Sequence, residues 1–239
     1  MRNTVSKLWK GFLEKIGNFR TGKEFNMLEQ NTIKLYSGNE QLEHKGKKLP
    51  YSMLQFWQLS LSDILFNMNR GTFAEYIVRC ALSEGGFDAL NEENGTIRVW
   101  DITGPNVPSE VRPSKIEVKS AASVQKDTPE KKEVSLRDTR LVFSIRPAID
   151  EETKKEGRHS DLYVFCHYKA TRKEQNILDM DLWDFYVYPT FKIDDDPILN
   201  NQNSISLYRI KKLGVIPVSF EALYDEIMCQ ISIVSKHLS

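Results

Sequence analysis

The chain reads as a mixed α/β domain. Short runs of branched and aromatic residues suit strands, amphipathic stretches on either side of them suit helices, and 239 residues with 40% apolar content can bury one sizeable core. Residues 1 to 49 read as an N-terminal arm or linker and residues 50 to 239 as the domain itself. In the arm, Trp9, Phe12, Leu13, Ile16 and Phe19 recur at helical intervals. Lys7, Lys10, Glu14 and Lys15 interrupt them, so no signal-peptide core forms. This basic amphipathic stretch packs on its own domain or on a partner subunit, with a membrane surface or DNA as the alternative. Residues 21 to 50 are polar and glycine-dotted, as a linker is.

Leu54, Trp57, Leu61, Ile64 and Leu65 recur every three or four residues and predict a helix that stops around Asn67 to Gly71. A second helix is expected from about Thr72 to Ser83, stopped by Gly85 and Gly86. Thr72-Phe-Ala-Glu75 matches a capping box, in which the glutamate reaches back to the N-cap amide. Strands are expected at Ile97 to Ile102, Lys115 to Ala121, Leu141 to Ile145, Leu162 to Cys166 and Trp183 to Tyr188. The loop Gly104-Pro-Asn-Val-Pro-Ser makes the first two of them adjacent and antiparallel. Trp183 to Tyr188 reads as core, with a base-stacking platform as the other reading. Pro129 shortens any helix in Ser123 to Lys132. Phe220, Leu223, Ile227, Ile231 and Val234 form one stripe of a C-terminal helix.

Cys80, Cys166 and Cys229 lie far apart in apolar surroundings, which suits reduced, buried thiols and a cytoplasmic setting. No run of eighteen apolar residues appears, so no membrane partner is expected. His44, His159, His167 and His237 lack the spacing of zinc ligands. His159-Ser160-Asp161 cannot make a hydrolase triad, because consecutive residues cannot approach one another as required. Lysine plus arginine and aspartate plus glutamate each total 33, a neutral balance that is awkward for a nucleic-acid protein. The basic excess within residues 112 to 158 partly offsets this.

Within that segment Ile116-Glu-Val-Lys119 alternates apolar and charged residues, so in a strand Glu117 and Lys119 point one way while Ile116 and Val118 point into a core. Asp101 ends the apolar run sixteen residues before Glu117. If the two stretches are neighbours, two carboxylates and one ammonium meet. Without a cation such carboxylates repel by roughly 4 kcal/mol at about 4 Å and an effective dielectric near 20. Mg²⁺ prefers oxygen ligands and takes only one or two protein carboxylates, so it is the natural occupant. Lys119, one pleat away, can hold or deprotonate water or shield a phosphate. An ordinary half-exposed strand would show the same alternation.

The order of a helical glutamate, Glu75, then Asp101, then Glu117-x-Lys119, then Ser120 to Gln125 resembles the restriction-endonuclease-like PD-(D/E)XK nuclease superfamily. The likeness spans roughly residues 50 to 240, and no proline precedes Asp101. It implies a mixed central β-sheet flanked by α-helices, and a helix starting near Ser123. It implies a Mg²⁺-dependent endonuclease, with Mn²⁺ as a substitute, that hydrolyses phosphodiester bonds of DNA to 5′-phosphate and 3′-hydroxyl ends in a restriction or defence role. RNA and branched substrates stay open, and so does a homodimer that cuts two strands. Asp101, Glu117 and the Val118 carbonyl would bind the metal, Lys119 would act on water, and Glu75 would assist. Gln125 would orient water or a phosphate, or be a surface residue. Arg146 and Arg158 would contact phosphates or be ordinary surface cations. The alternative is a catalytically silent member that binds nucleic acid or protein.

Overall fold

In a computed structural model of the protein, residues 36–90, 99–130, 133–135, 141–151 and 153–239 are described. The chain divides into two compact units, 1–32 and 33–239, and all described residues belong to the second. The expected amphipathic helix within Met1 to Arg20 lies outside them. Part of the stretch expected as linker is ordered structure instead: β1 (Gln41–His44) and β2 (Lys47–Ser52) form an antiparallel hairpin. Ser52 then caps α1 (Met53–Leu61) through a capping box with Gln55. That helix ends a turn earlier than its periodicity suggests and buries none of its residues.

The second helix, α2 (Asn67–Glu84), starts a turn earlier than expected. Its N-cap is Phe66 rather than Thr72, so Glu75 stands in mid-helix and the capping-box reading of Thr72 and Glu75 falls. Its stop is as expected: the Gly85 N–H returns to the Ala81 carbonyl, and Gly86 takes φ +89°. Gly85 also touches the Tyr224 ring so closely that a Cβ there would clash.

The central sheet has four strands in the order β3 (Ile102–Val107), β4 (Arg112–Ala122), β8 (Leu162–Tyr168) and β9 (Trp183–Pro189). β3 and β4 are antiparallel neighbours, but the partner expected for β4 was Ile97 to Ile102, of which only Ile102 belongs to β3 and residues 97–98 lie outside the described ones; β4 and β8 run parallel, and β9 is antiparallel to β8. The sheet is therefore mixed. Strand β3 occupies the stretch expected as a loop, and Asp101 precedes a strand rather than ending one. Pro105, which lacks an N–H, is tolerated because the register shifts between Gly104 and Asn106. A Cβ on Gly104 would lie 2.6 Å from Ser114 Oγ, so only glycine lets β3 approach β4 here. The helix expected near Ser123 is absent; residues 123 to 130 turn instead, and Pro129 removes a helical N–H there.

Two further antiparallel pairs join β5 (Val142–Ser144) to β10 (Ser204–Ser206) and β6 (Ala148–Ile149) to β7 (Glu156–Gly157). Short helices α3 (Thr190–Asp194) and α4 (Leu207–Lys212) follow β9 and β10, and α5 (Phe220–Leu238) closes the chain. Strand alternation gives the sheet two faces. Leu162, Val164, Cys166 and Tyr168 pack with α2 and α5 through Ile77, Val78, Leu223, Ile227 and Ile231. Tyr163 and Phe165 pack on the opposite face with Phe143, Ile193, Leu207 and Ile210. Full burial of β8 on both faces explains its continuous apolar run. Trp183, Phe185 and Tyr186 are buried core, which removes the base-stacking reading. All three cysteines are free; Cys166 is buried and Cys80 half-buried, but Cys229 lies exposed on α5, contrary to the expected burial. No helix among the described residues is long and apolar enough to cross a membrane.

Candidate functional site

Strand β4 carries Glu117 and Lys119 on one face and buries Ile116 and Val118 on the other. In the parallel register Glu117 lies beside Tyr163 and Lys119 beside Phe165. β3 begins at Ile102, opposite Ile116, and the Asp101 N–H donates to the Ile116 carbonyl at 3.0 Å. This places the Asp101 side chain where β3 leaves the sheet. Its Oδ2 accepts the Val118 N–H at 2.7 Å. A strand residue offers its N–H and C=O to the same edge, so the Val118 carbonyl shares that edge with Asp101.

Three expected residues thus come together. Lys119 Nζ contacts Glu117 Oε1 closely and lies 3.7 Å from Asp101 Oδ2. The side chains are 18 to 28% exposed, open enough to meet a ligand and sheltered enough for their charges to matter. Glu75 reaches this group from α2. Burial first, then the Asp101 charge, raises its carboxyl to about 7, against the opposing pull of Arg79 and Lys119. Burial and Asp101 likewise push Glu117 up, although Lys119 pulls it down. For Lys119 burial disfavours the ammonium, but Asp101, Glu117 and Glu75 together outweigh it, and its pKa lies above the usual lysine value. Lys119 is therefore a cation at neutral pH.

Sequence reasoning missed Arg79. This buried residue donates from Nη2 to the Asp101 carbonyl at 2.9 Å and from Nη1 to the Ala89 carbonyl at 3.0 Å. It ties the helix bearing Glu75 to the backbone that aims Asp101. The signal was the four-residue spacing from Glu75, which puts both on one helical face. Tyr163 was also missed; burial and the neighbouring Glu117 charge push its hydroxyl pKa up.

Gln125 lies beyond the end of β4 and is held by its own turn: its Nε2 donates to the Ala122 carbonyl at 2.6 Å. Arg146 is exposed, as a phosphate contact requires. Arg158 is not available for one. Its Nε donates to the Ile145 carbonyl at 2.7 Å, its Nη1 to Asp194 at 2.7 Å and its Nη2 to the Gln202 carbonyl at 2.9 Å. With a side chain only 3% exposed, it clamps loops together, which corrects its assignment as a nucleic-acid contact.

Around Asp101 there are three carboxylates and two cations, an acid excess that a divalent ion would relieve. Among the described residues no group of three or more His, Cys, Asp and Glu stands ready to hold a metal. Two carboxylates with a main-chain carbonyl nonetheless suit Mg²⁺, which keeps most of its ligands as water and phosphate oxygens. The fold and site define a mixed α/β protein with a carboxylate–lysine cluster at a sheet edge. No protein-family model matches the chain, and no curated protein sequence matches it significantly.

Proposed function

We propose that the protein is a divalent-metal-dependent endonuclease that hydrolyses phosphodiester bonds, with DNA as substrate. The observation that carries this reading is the meeting of Asp101, Glu117 and Lys119 from two separate stretches of chain, with Glu75 in electrostatic range. Asp101 and Glu117 would hold Mg²⁺ or Mn²⁺, with the Val118 carbonyl as a further oxygen, and the ion would supply a more acidic water and offset charge on the phosphate. Lys119, being protonated, donates hydrogen bonds to water or phosphate rather than taking a proton. Glu75, whose carboxyl is raised to about 7, can carry a proton near neutrality and suits exchange with the water. Arg79 fixes the direction of Asp101, and Arg146 offers an exposed cation to the flanking strand.

The close Lys119–Glu117 pair favours one other reading, a catalytically silent protein of this fold in which the lysine alone balances the acids. Incubation of plasmid and single-stranded DNA with the protein in Mg²⁺ or Mn²⁺ separates the two. Cleavage by wild type that disappears in Asp101→Ala and Lys119→Ala supports the nuclease. Absence of both metal binding and cleavage in wild type supports the silent reading, and cleavage that survives both substitutions belongs to a contaminant.

A further inference from the structure

Trp100 immediately precedes Asp101, and its indole is half-buried. Its Nε1 donates to Thr103 Oγ1 at 3.4 Å, and the Lys115 ammonium stands 4.1 Å from the ring centroid. Thr103 pairs directly with Lys115 across β3 and β4, so both side chains lie on one face of the sheet. Glu117 and Lys119, two and four residues further along β4, share that face. The indole therefore folds over the face that carries the carboxylate cluster, about 7 Å along the strand from Glu117.

Packing does not account for this placement. Trp183 shows where a structural indole goes in this protein, since it is 1% exposed inside the core that α2 and α5 cover. Trp100 belongs to neither core. Lys115 is half-buried, and among the described residues no carboxylate pairs with its ammonium: Asp161 is taken by Arg112, and Glu117 by Lys119. A partly exposed cation–π contact stabilises a fold only weakly. An aromatic face with an adjoining free cation is, however, what a nucleic-acid strand meets on its binding surfaces, the ring stacking on a base of any sequence and the cation taking a phosphate.

We propose that Trp100 and Lys115 form a nucleotide subsite beside the carboxylate cluster, in which a base of single-stranded DNA stacks on the indole and the Lys115 ammonium meets the adjoining phosphate. In a duplex the faces of each base are covered by its neighbours, so only an unpaired base offers one to the ring. The order along β4 puts this nucleotide on the Lys115 side of Glu117, with Lys119 on the other side. Its place next to a scissile bond rests on the nuclease reading, whereas binding of the strand does not require cleavage.

The test measures the affinity of the full chain for a labelled single-stranded DNA oligonucleotide in chelator, where no cleavage intervenes. Trp100→Ala weakens binding about tenfold, as loss of one base–aromatic stack does, and Trp100→Phe, which keeps an aromatic face, stays within about threefold of wild type. An abasic oligonucleotide of the same length binds wild type at least about tenfold more weakly, and Trp100→Ala costs it nothing further. Lys115→Ala weakens both ligands and makes the affinity less sensitive to salt. No binding by wild type, unchanged affinity in Trp100→Ala, or equal loss in Trp100→Ala and Trp100→Phe overturns the subsite. So does an abasic strand that binds as tightly as the ordinary one, a comparison made on wild-type protein and independent of how any variant folds. Tighter binding of a duplex than of a single strand overturns the single-stranded assignment. Absence of cleavage in Mg²⁺ with Trp100-dependent binding intact sinks the nuclease reading and leaves the subsite; cleavage that needs Asp101 while Trp100→Ala binds normally sinks the subsite alone.

Discussion

The two ends of the α2 story carry opposite imbalances. Around Asp101 acids outnumber cations, and burial raises the carboxyls of Glu75 and Glu117. At the start of the helix the Arg70 guanidinium is buried, and among the described residues no carboxylate pairs with it. Elsewhere the protein balances its charges: Arg112 meets Asp161 with both nitrogens at 2.8 Å, and Lys169 meets Asp184 at 2.6 Å. Unmatched buried charge costs stability, so the two regions depart from this balance in opposite directions.

The largest effect that would break this contrast is catalytic. Lys119→Ala leaves the carboxylates without their shared ammonium, and the cleavage rate of plasmid falls by about 10²–10⁴-fold. A loss under threefold would remove Lys119 from the reaction. Next, a divalent ion at about 100 times its Kd raises unfolding stability by about 2.7 kcal/mol in wild type. Chemical denaturation in Mg²⁺ and in chelator measures this, and Glu117→Gln should abolish the gain. Arg79→Met removes a buried donor from the Asp101 carbonyl and costs on the order of 2 kcal/mol, read by the same method.

A smaller effect follows from Glu75. Its carboxyl rises from an ordinary value of 4.5 to about 7 on folding, so within that window the folded protein keeps a proton that the unfolded chain releases. The stability this contributes is fully present below pH 4.5 and is lost as pH rises through 7. In chelator the wild-type unfolding midpoint therefore declines across that window, and Glu75→Gln flattens the decline. Smallest is Arg146→Ala, which shifts stability by less than about 0.5 kcal/mol because the side chain is exposed. Its effect, if any, is on DNA affinity and its salt dependence.

Patterns of two and of three to four residues made much of this architecture readable. Strands β4, β8 and β9 and helix α5 follow from them, since each buries a regular stripe or run, as Leu223, Ile227, Ile231 and Val234 do. The approach of Asp101 to Glu117 and Lys119 was legible too. The strand boundary was not. Gly104 and Pro105 look like a loop in sequence, but a register shift and a close backbone approach to Ser114 let them extend β3. The cap, one of two readings of Glu75 beside a site role, came from Thr72, a good capping residue; the helix starts earlier, from a Phe66 cap that no propensity favours. Arg158 looked like a phosphate contact or an ordinary surface cation because burial of a long side chain depends on distant segments, here Leu199 to Gln202.

The most direct measurement is calorimetric titration of Mn²⁺ into wild type, Asp101→Asn and Glu117→Gln at neutral pH. Saturable binding to wild type that both substitutions abolish, with α2 and the sheet still folded by circular dichroism, is the expected outcome. Absence of binding in wild type, or equal affinity in all three proteins, would show that Lys119 closes the cluster by itself and that the acids at the edge of β3 and β4 hold no metal.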